Sequence, residues 1–229
     1  MTLTGENAAH AKVLRLKPGD AVTLCDGSGT DYACTVSDVS AGQYSLVVHS
    51  AAASAAEPRV FCSVYMAFAK ADKLEHVIQK ATELGAGEIV AFPSSRCVAR
   101  PDEKSLAKKL ERWQKIAASA AEQSGRGRIP QVLALGSFEA ALARASGAEL
   151  ALFPYENERT LPLRAAVGGG AYQTASIVTG PEGGFSAEEV LLAQKYQMKI
   201  CSLGPRILRC ETAPLCALSA VLFAAGALD

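Results

Sequence analysis

Little in this chain of 229 residues points to a metal or to an oxidising compartment. It has three histidines, and no two of its seven cysteines (Cys25, Cys34, Cys62, Cys97, Cys201, Cys210 and Cys216) form a CxxC pair. That spacing excludes the usual zinc frameworks. An odd number of scattered thiols reads as free, mostly buried cysteines in a reducing cytoplasm. No apolar run reaches the ~20 residues of a membrane span. The most apolar stretch, Leu215–Leu228, reads as a buried helix, and Met1–Lys12 has no apolar signal core. A soluble, cytoplasmic protein without metal or membrane attachment is expected. Net charge is missing too, because 23 basic residues balance 23 acidic ones. The balance excludes a uniformly basic nucleic-acid coat but leaves room for a local basic patch. Neither GxxxxGKS/T nor GxGxxG occurs, so the common phosphate loops are absent.

What is present falls into two halves with different periods. Residues 1 to about 50 read as short strands: Ala21–Cys25, Tyr32–Val39 and Tyr44–His49, punctuated by Gly19-Asp20, Asp26–Gly29 and Ala41-Gly42. This pattern suits a small β-barrel. Residues 51–58 (AAASAAEP) read as a linker. Beyond it, apolar runs alternate with helical periods. Strands are expected over Val60–Ala67, Glu88–Phe92, Gln131–Leu135, Glu149–Phe153, Ala175–Thr179 and Lys199–Leu203. Helices are expected over Asp72–Leu84, Glu103–Gln123, Phe138–Ala145, Ala187–Gln197 and about Glu211–Ala227. Alternation of this kind argues for an α/β fold with a parallel sheet covered on both faces.

Charge is segregated along the chain. Residues 59–130 carry 13 basic and 8 acidic side chains, whereas both flanking segments are net acidic. The excess reads either as a solvated helix face or as a phosphate-contacting surface including Lys70, Lys73, Lys80, Arg96, Arg100, Arg126 and Arg128. Ser124–Arg128 (SGRGR) places two of these guanidinium groups on a loop expected to be flexible and exposed. Gly168–Gly170 reads as a flexible loop.

Two segments carry the chemistry. In Ser176–Glu189 (SIVTGPEGGFSAEE) an apolar strand enters a glycine-rich turn and then a helix, whose start is fixed by the capping pair Ser186 and Glu189. Glycines there let a ligand approach the backbone at the carboxyl end of a strand, where α/β sheets bind ligands. A tight turn without a ligand fits the same pattern. In Leu203–Ala213 (LGPRILRCETA) a second strand end is followed by Arg206, Arg209 and Glu211. Charges so placed are costly to desolvate unless they pair structurally or are used on a ligand.

Together these segments resemble the ribosomal RNA small subunit methyltransferase E family, within the SPOUT class. The resemblance extends to Lys73–Gly85 (KLEHVIQKATELG), Ser95–Cys97, Arg112–Ala117, Ala121–Arg126 with Pro130, and Val13–Asp20 (VLRLKPGD), so it runs through nearly the whole chain in order. It implies a PUA-like β-barrel RNA-binding domain over residues 1–55. It also implies a SPOUT methyltransferase domain over 59–229, whose parallel sheet contains a C-terminal deep trefoil knot. The implied reaction is methylation of N3 of one uridine in the decoding region of 16S rRNA, in the small ribosomal subunit, using S-adenosylmethionine. A homodimer with the last helix in its interface is implied as well.

By position, the resemblance places Thr179, Gly180, Pro181, Glu182 and Gly183 around the cofactor's methionine and adenine parts. Leu203, Gly204, Ile207 and Leu208 fall on the adenine side, Phe153-Pro154 at a third loop, and Thr212 near the methyl group. Arg209, Glu211 and Arg206 are the candidate catalytic residues, and Arg15, Lys73, Lys80, Arg96, Arg126 and Arg128 the candidate RNA contacts. His76 departs from the large aromatic expected at its helix position, and Ala8-Ala9-His10 from the paired histidines often found there. The N3–H of uridine is a weak acid, with a pKa of about 9 to 10, similar to a phenol. A cation near O2 or O4 would stabilise the anion, the role expected of Arg209 with Arg206 assisting. Glu182 or Glu211 could accept the proton or simply hold an arginine. The alternatives are a SPOUT methyltransferase of another RNA, or a non-catalytic RNA-binding or ribosome-assembly factor.

Overall fold

The computed structural model describes residues 1–228, and they fall into two compact units. The first comprises Met1–Glu57 together with Gly125–Arg128. It contains β1 (Thr2–Leu3), α1 (Gly5–Val13), β2 (Ala21–Cys25), β3 (Thr30–Ser40) and β4 (Gln43–Ala53). The strands form one antiparallel sheet in the order β1-β4-β3-β2. Ala8 and Ala11 of α1 pack with Cys34, Val36, Tyr44 and Leu46 into a small core.

Three expectations for this region change. The strands β3 and β4 are 11 residues each rather than short. The helix α1 stands where the sequence suggested no element. The linker reading of 51–58 gives way to a strand end, because Ala51, Ala52 and Ala53 pair with Tyr32, Asp31 and Thr30. Beyond that end, Glu57 holds the inserted segment. Its Oε2 accepts a 2.7 Å bond from the Arg126 guanidinium and its Oε1 a 3.0 Å bond from the Arg128 N–H. Gly127 lies so close that a Cβ there would come within 2.3 Å of Ser54 Cβ, and its carbonyl accepts from Gly29 N–H.

The second unit runs over Pro58–Ser124 and from Ile129 onward. Its elements are β5 (Phe61–Ala67), α2 (Lys73–Leu84), β6 (Glu88–Phe92), α3 (Glu103–Gln123), β7 (Gln131–Ala134), α4 (Phe138–Ala145), β8 (Leu150–Pro154), α5 (Leu163–Val167), β9 (Thr174–Thr179), α6 (Ala187–Lys195), β10 (Lys199–Cys201) and α7 (Thr212–Ala224). All six strands run parallel, in the order β10-β8-β9-β5-β6-β7. Every residue of β6 and β8 is buried, as expected when helices cover both faces. The helix α2 buries Leu74, Val77, Ile78 and Ala81 along one stripe and ends at Gly85, whose φ of 109° suits glycine. Asp102 caps α3 by accepting from Ser105 N–H.

Gly168–Gly170 is more than a flexible loop. A Cβ on Gly170 would lie 1.8 Å from the Ala224 carbonyl oxygen, so the chain passes directly against the end of α7. The Tyr172 hydroxyl donates to Val221 O at 3.0 Å and seats the same helix. No helix among the described residues is long and apolar enough to cross a membrane.

Candidate active site

Three neighbouring strands, β8, β9 and β10, end at one edge of the second unit's sheet, and the loops that follow them surround a cavity of about 490 Å³. This is the carboxyl-end crevice where open α/β sheets place ligands, and its size is that of a small-molecule pocket, which runs from about 300 to 1,000 Å³. One wall is the loop Gly180–Phe185; the other runs through Leu203, Gly204, Arg206, Ile207, Leu208, Arg209 and Cys210. Pro154, Tyr155 and Glu156, after β8, close a third side.

The first wall is held from several directions. Phe185 is buried and stacks on Phe153 with ring centroids 4.3 Å apart. Ser186 and Glu189 form a full capping box at the start of α6. The second Glu189 oxygen accepts from Ser95 N–H at 2.8 Å, tying α6 to the loop after β6. From that loop Arg96 donates to Gly183 O at 2.9 Å. Glu182 Oε1 accepts from the Lys70 N–H at 2.9 Å and lies 3.4 Å from Lys73 Nζ. The loop is curled so tightly that a Cβ on Gly180 would stand 3.2 Å from Gly184 C and 3.3 Å from the Phe185 ring. Glycine is what lets the loop curl this closely on itself.

The second wall is looser. Ile207 is 75% exposed, and neither the Arg206 nor the Arg209 guanidinium has a partner among the described residues. Glu211 sits 3.6 Å from Lys73 Nζ and accepts from the Cys210 thiol at 3.2 Å. Desolvation pushes the carboxyls of Glu182 and Glu211 up. Backbone N–H donors, and then Lys73 with the neighbouring side-chain donors, outweigh it and leave both below the ordinary carboxyl value. Burial, reinforced by the bond to Glu211, pushes the Cys210 thiol up to about 12, so it stays protonated at neutral pH.

Most of the expected cofactor residues meet at this cavity: Pro154, Thr179, Gly180, Pro181, Glu182, Gly183, Leu203, Gly204, Ile207 and Leu208 all line it, with Arg206 and Arg209. Two do not. Phe153 is fully buried beneath the floor, and Thr212 is an exposed residue opening α7 outside the lining. Glu211 reaches the site through Lys73 rather than by lining it. Tyr155 and Glu156 were missed, although they directly follow the flagged Phe153-Pro154 strand end.

The expected RNA contacts divide. Arg15, Arg96 and Arg128 are exposed. Lys80 is held by Glu83 at 2.7 Å. Arg126 is corrected: its side chain is only 3% exposed and is spent on Glu57, so it is no surface contact. Lys73 faces the cavity and is shared by two carboxylates.

The comparisons with known proteins agree with this geometry. The RNA methyltransferase domain family matches residues 56–222, and the RNA methyltransferase PUA domain family matches residues 3–48. A ribosomal RNA small subunit methyltransferase E from Bacillus subtilis (strain 168) is 37% identical over 228 residues, covering 97% of this chain and 89% of the relative. The chain belongs to the ribosomal RNA small subunit methyltransferase E family. Another member, from Mycobacterium tuberculosis (strain CDC 1551 / Oshkosh), is 34% identical over 95% of this chain and 84% of its own. A solved structure of a family member from Neisseria gonorrhoeae, bound to S-adenosyl methionine, superposes with a TM-score of 0.84 at 29% identity, covering 96% of this chain and 90% of that one. The N-terminal sheet with α1 is accordingly the PUA-like part of an α/β methyltransferase.

Proposed function

We propose that this chain methylates N3 of a specific uridine in the decoding region of 16S rRNA, within the small ribosomal subunit. RNA methyl transfer from S-adenosylmethionine follows from its family membership; the uridine, its position and the residue roles are our reading. The observation that carries it is the cavity at the ends of β8, β9 and β10, walled by both family loops and edged by two arginines without partners among the described residues.

The cavity suits S-adenosylmethionine. It offers loop backbone at Gly180 and Gly204, apolar surface from Pro154, Leu203, Ile207 and Leu208, and the carboxylate of Glu156 for hydroxyl or ammonium groups. When bound, the cofactor supplies an electrophilic methyl group on a positively charged sulfur. Arg209 then stabilises the uracil anion at O2 or O4, with Arg206 beside it. Glu182 and Glu211 are poor proton acceptors, because the groups that donate to them already favour their ionised forms. The N3 proton therefore leaves to water before transfer, and the arginines make that loss less costly.

Residues 1–55 assist RNA binding and 59–229 carry catalysis, with the SPOUT knot in the segment that bears both loops. Arg15, Arg96 and Arg128 supply phosphate contacts. The protein works in the cytoplasm as a homodimer; Phe223 on α7, 72% exposed, supports a second copy as its cover.

Labelled S-adenosylmethionine incubated with small ribosomal subunits and, separately, with tRNA tests this reading after nucleoside analysis. Label in 3-methyluridine from the small subunit is expected. Label in another nucleoside or in tRNA overturns the substrate, and cofactor binding without transfer to either overturns the enzymatic reading.

A further inference from the structure

Lys73 opens α2, far in sequence from either wall of the cavity, yet its ammonium stands between them. It lies 3.4 Å from Glu182 on the first wall and 3.6 Å from Glu211 at the end of the second. It also donates to Cys210 Sγ at 3.9 Å. The turn that presents it is itself committed to the site. Lys70 N–H donates to the same Glu182 oxygen that faces Lys73. Ala71 takes a φ of 55°, a conformation non-glycine residues adopt only when their surroundings impose it. The three charged side chains are each about a quarter exposed. They are screened less than surface pairs and more than core pairs. Without the cation, two ionised carboxylates would face each other across the space it occupies.

We propose that Lys73 is a positioning residue whose ammonium clamps the Gly180–Phe185 loop to the start of α7 and so sets the separation of the two cofactor-binding walls. The inference rests on the reading of this cavity as the S-adenosylmethionine site. It removes Lys73 from the RNA contacts and gives Glu182 and Glu211 a structural partner instead of a proton-accepting role. The two carboxylates repel once the cation is gone, so the effect of losing Lys73 should disappear when they are neutralised too. A residue that merely packed would not behave in this way.

The test measures S-adenosylmethionine affinity by calorimetry on the full chain, with thermal unfolding as a check on folding. Lys73→Gln should weaken binding about tenfold, and Lys73→Arg should keep most of it. The triple variant Lys73→Gln/Glu182→Gln/Glu211→Gln should bind more tightly than Lys73→Gln alone. The pH response should separate the proteins as well. Between about pH 7 and pH 5 the parent's affinity stays level, because both carboxyls titrate below their ordinary range. In Lys73→Gln the affinity should rise once the pH is low enough to protonate one of the two repelling carboxylates. Unchanged affinity in Lys73→Gln, or a triple variant no better than the single one, overturns the clamp. A parent chain that binds no S-adenosylmethionine overturns the cavity reading itself, and the clamp with it.

Discussion

The two walls of the cavity are built in opposite ways. Gly180–Phe185 is fixed by contacts from four directions: Lys70 and Lys73 on Glu182, Arg96 on Gly183, Phe153 against Phe185, and the capping box behind it. Leu203–Arg209 presents an exposed Ile207 and two guanidinium groups without partners among the described residues. The first wall has spent its polar groups on the fold and is preorganised to receive a ligand. The second has kept its charges for whatever binds. In the proposed reading both loops hold the cofactor, and the substrate electrostatics fall to the second.

Substitutions on either wall should separate these roles. Phe185→Ala strikes the fixed wall and removes a buried ring. It should cost about 3–5 kcal/mol of stability by denaturant unfolding; a loss under about 1 kcal/mol would show the wall to be less rigid than its packing implies. Arg209→Ala should leave the unfolding midpoint and cofactor affinity unchanged while lowering kcat about 10²–10³-fold. Full turnover with intact cofactor binding would end its assignment. The pH dependence probes the same wall. With Glu182 and Glu211 held below the ordinary carboxyl range, single-turnover transfer should climb about tenfold per unit from about pH 6.5 to 8.5, following the uracil anion. A plateau beginning near neutrality would reveal a protein base. Arg96→Ala, which frees Gly183 O, should weaken cofactor binding about tenfold in calorimetry with little effect on kcat. The smallest change is expected for Ile207→Ala: stability within about 0.5 kcal/mol and roughly threefold weaker cofactor binding. A larger stability loss would mean that the second wall is as firmly built as the first.

Legibility in the sequence followed how local each cause was. The bounds of α3 and β6 match expectation residue for residue, because Asp102 and the surrounding turn residues act within a few positions. Both cavity loops were legible as glycine- and arginine-bearing strand ends. The helix α1 was not, since its buried residues are only Ala8 and Ala11 and no large apolar stripe marks it. Ala51–Ala53 looked like a linker because alanine has a poor strand preference, which pairing with β3 overrides. Periodicity along α2 identified its buried stripe and left Lys73 as one more surface cation. Its partners, Glu182 and Glu211, lie more than a hundred residues away. Arg126 was misjudged for the same reason, since nothing near it in sequence announces Glu57.

The first unit borrows Gly125–Arg128 from a point far along the chain. During synthesis the leading sheet can therefore form its strands early, but the Glu57 carboxylate waits for residues made much later. A nascent chain halted anywhere between these points carries an unmatched acid at the sheet's end. The same holds for a truncated fragment ending at the apparent linker. Such a fragment would be a poor stand-in for the module in binding experiments, and appending the distant tetrapeptide through a short engineered connection is the way to make it a faithful one.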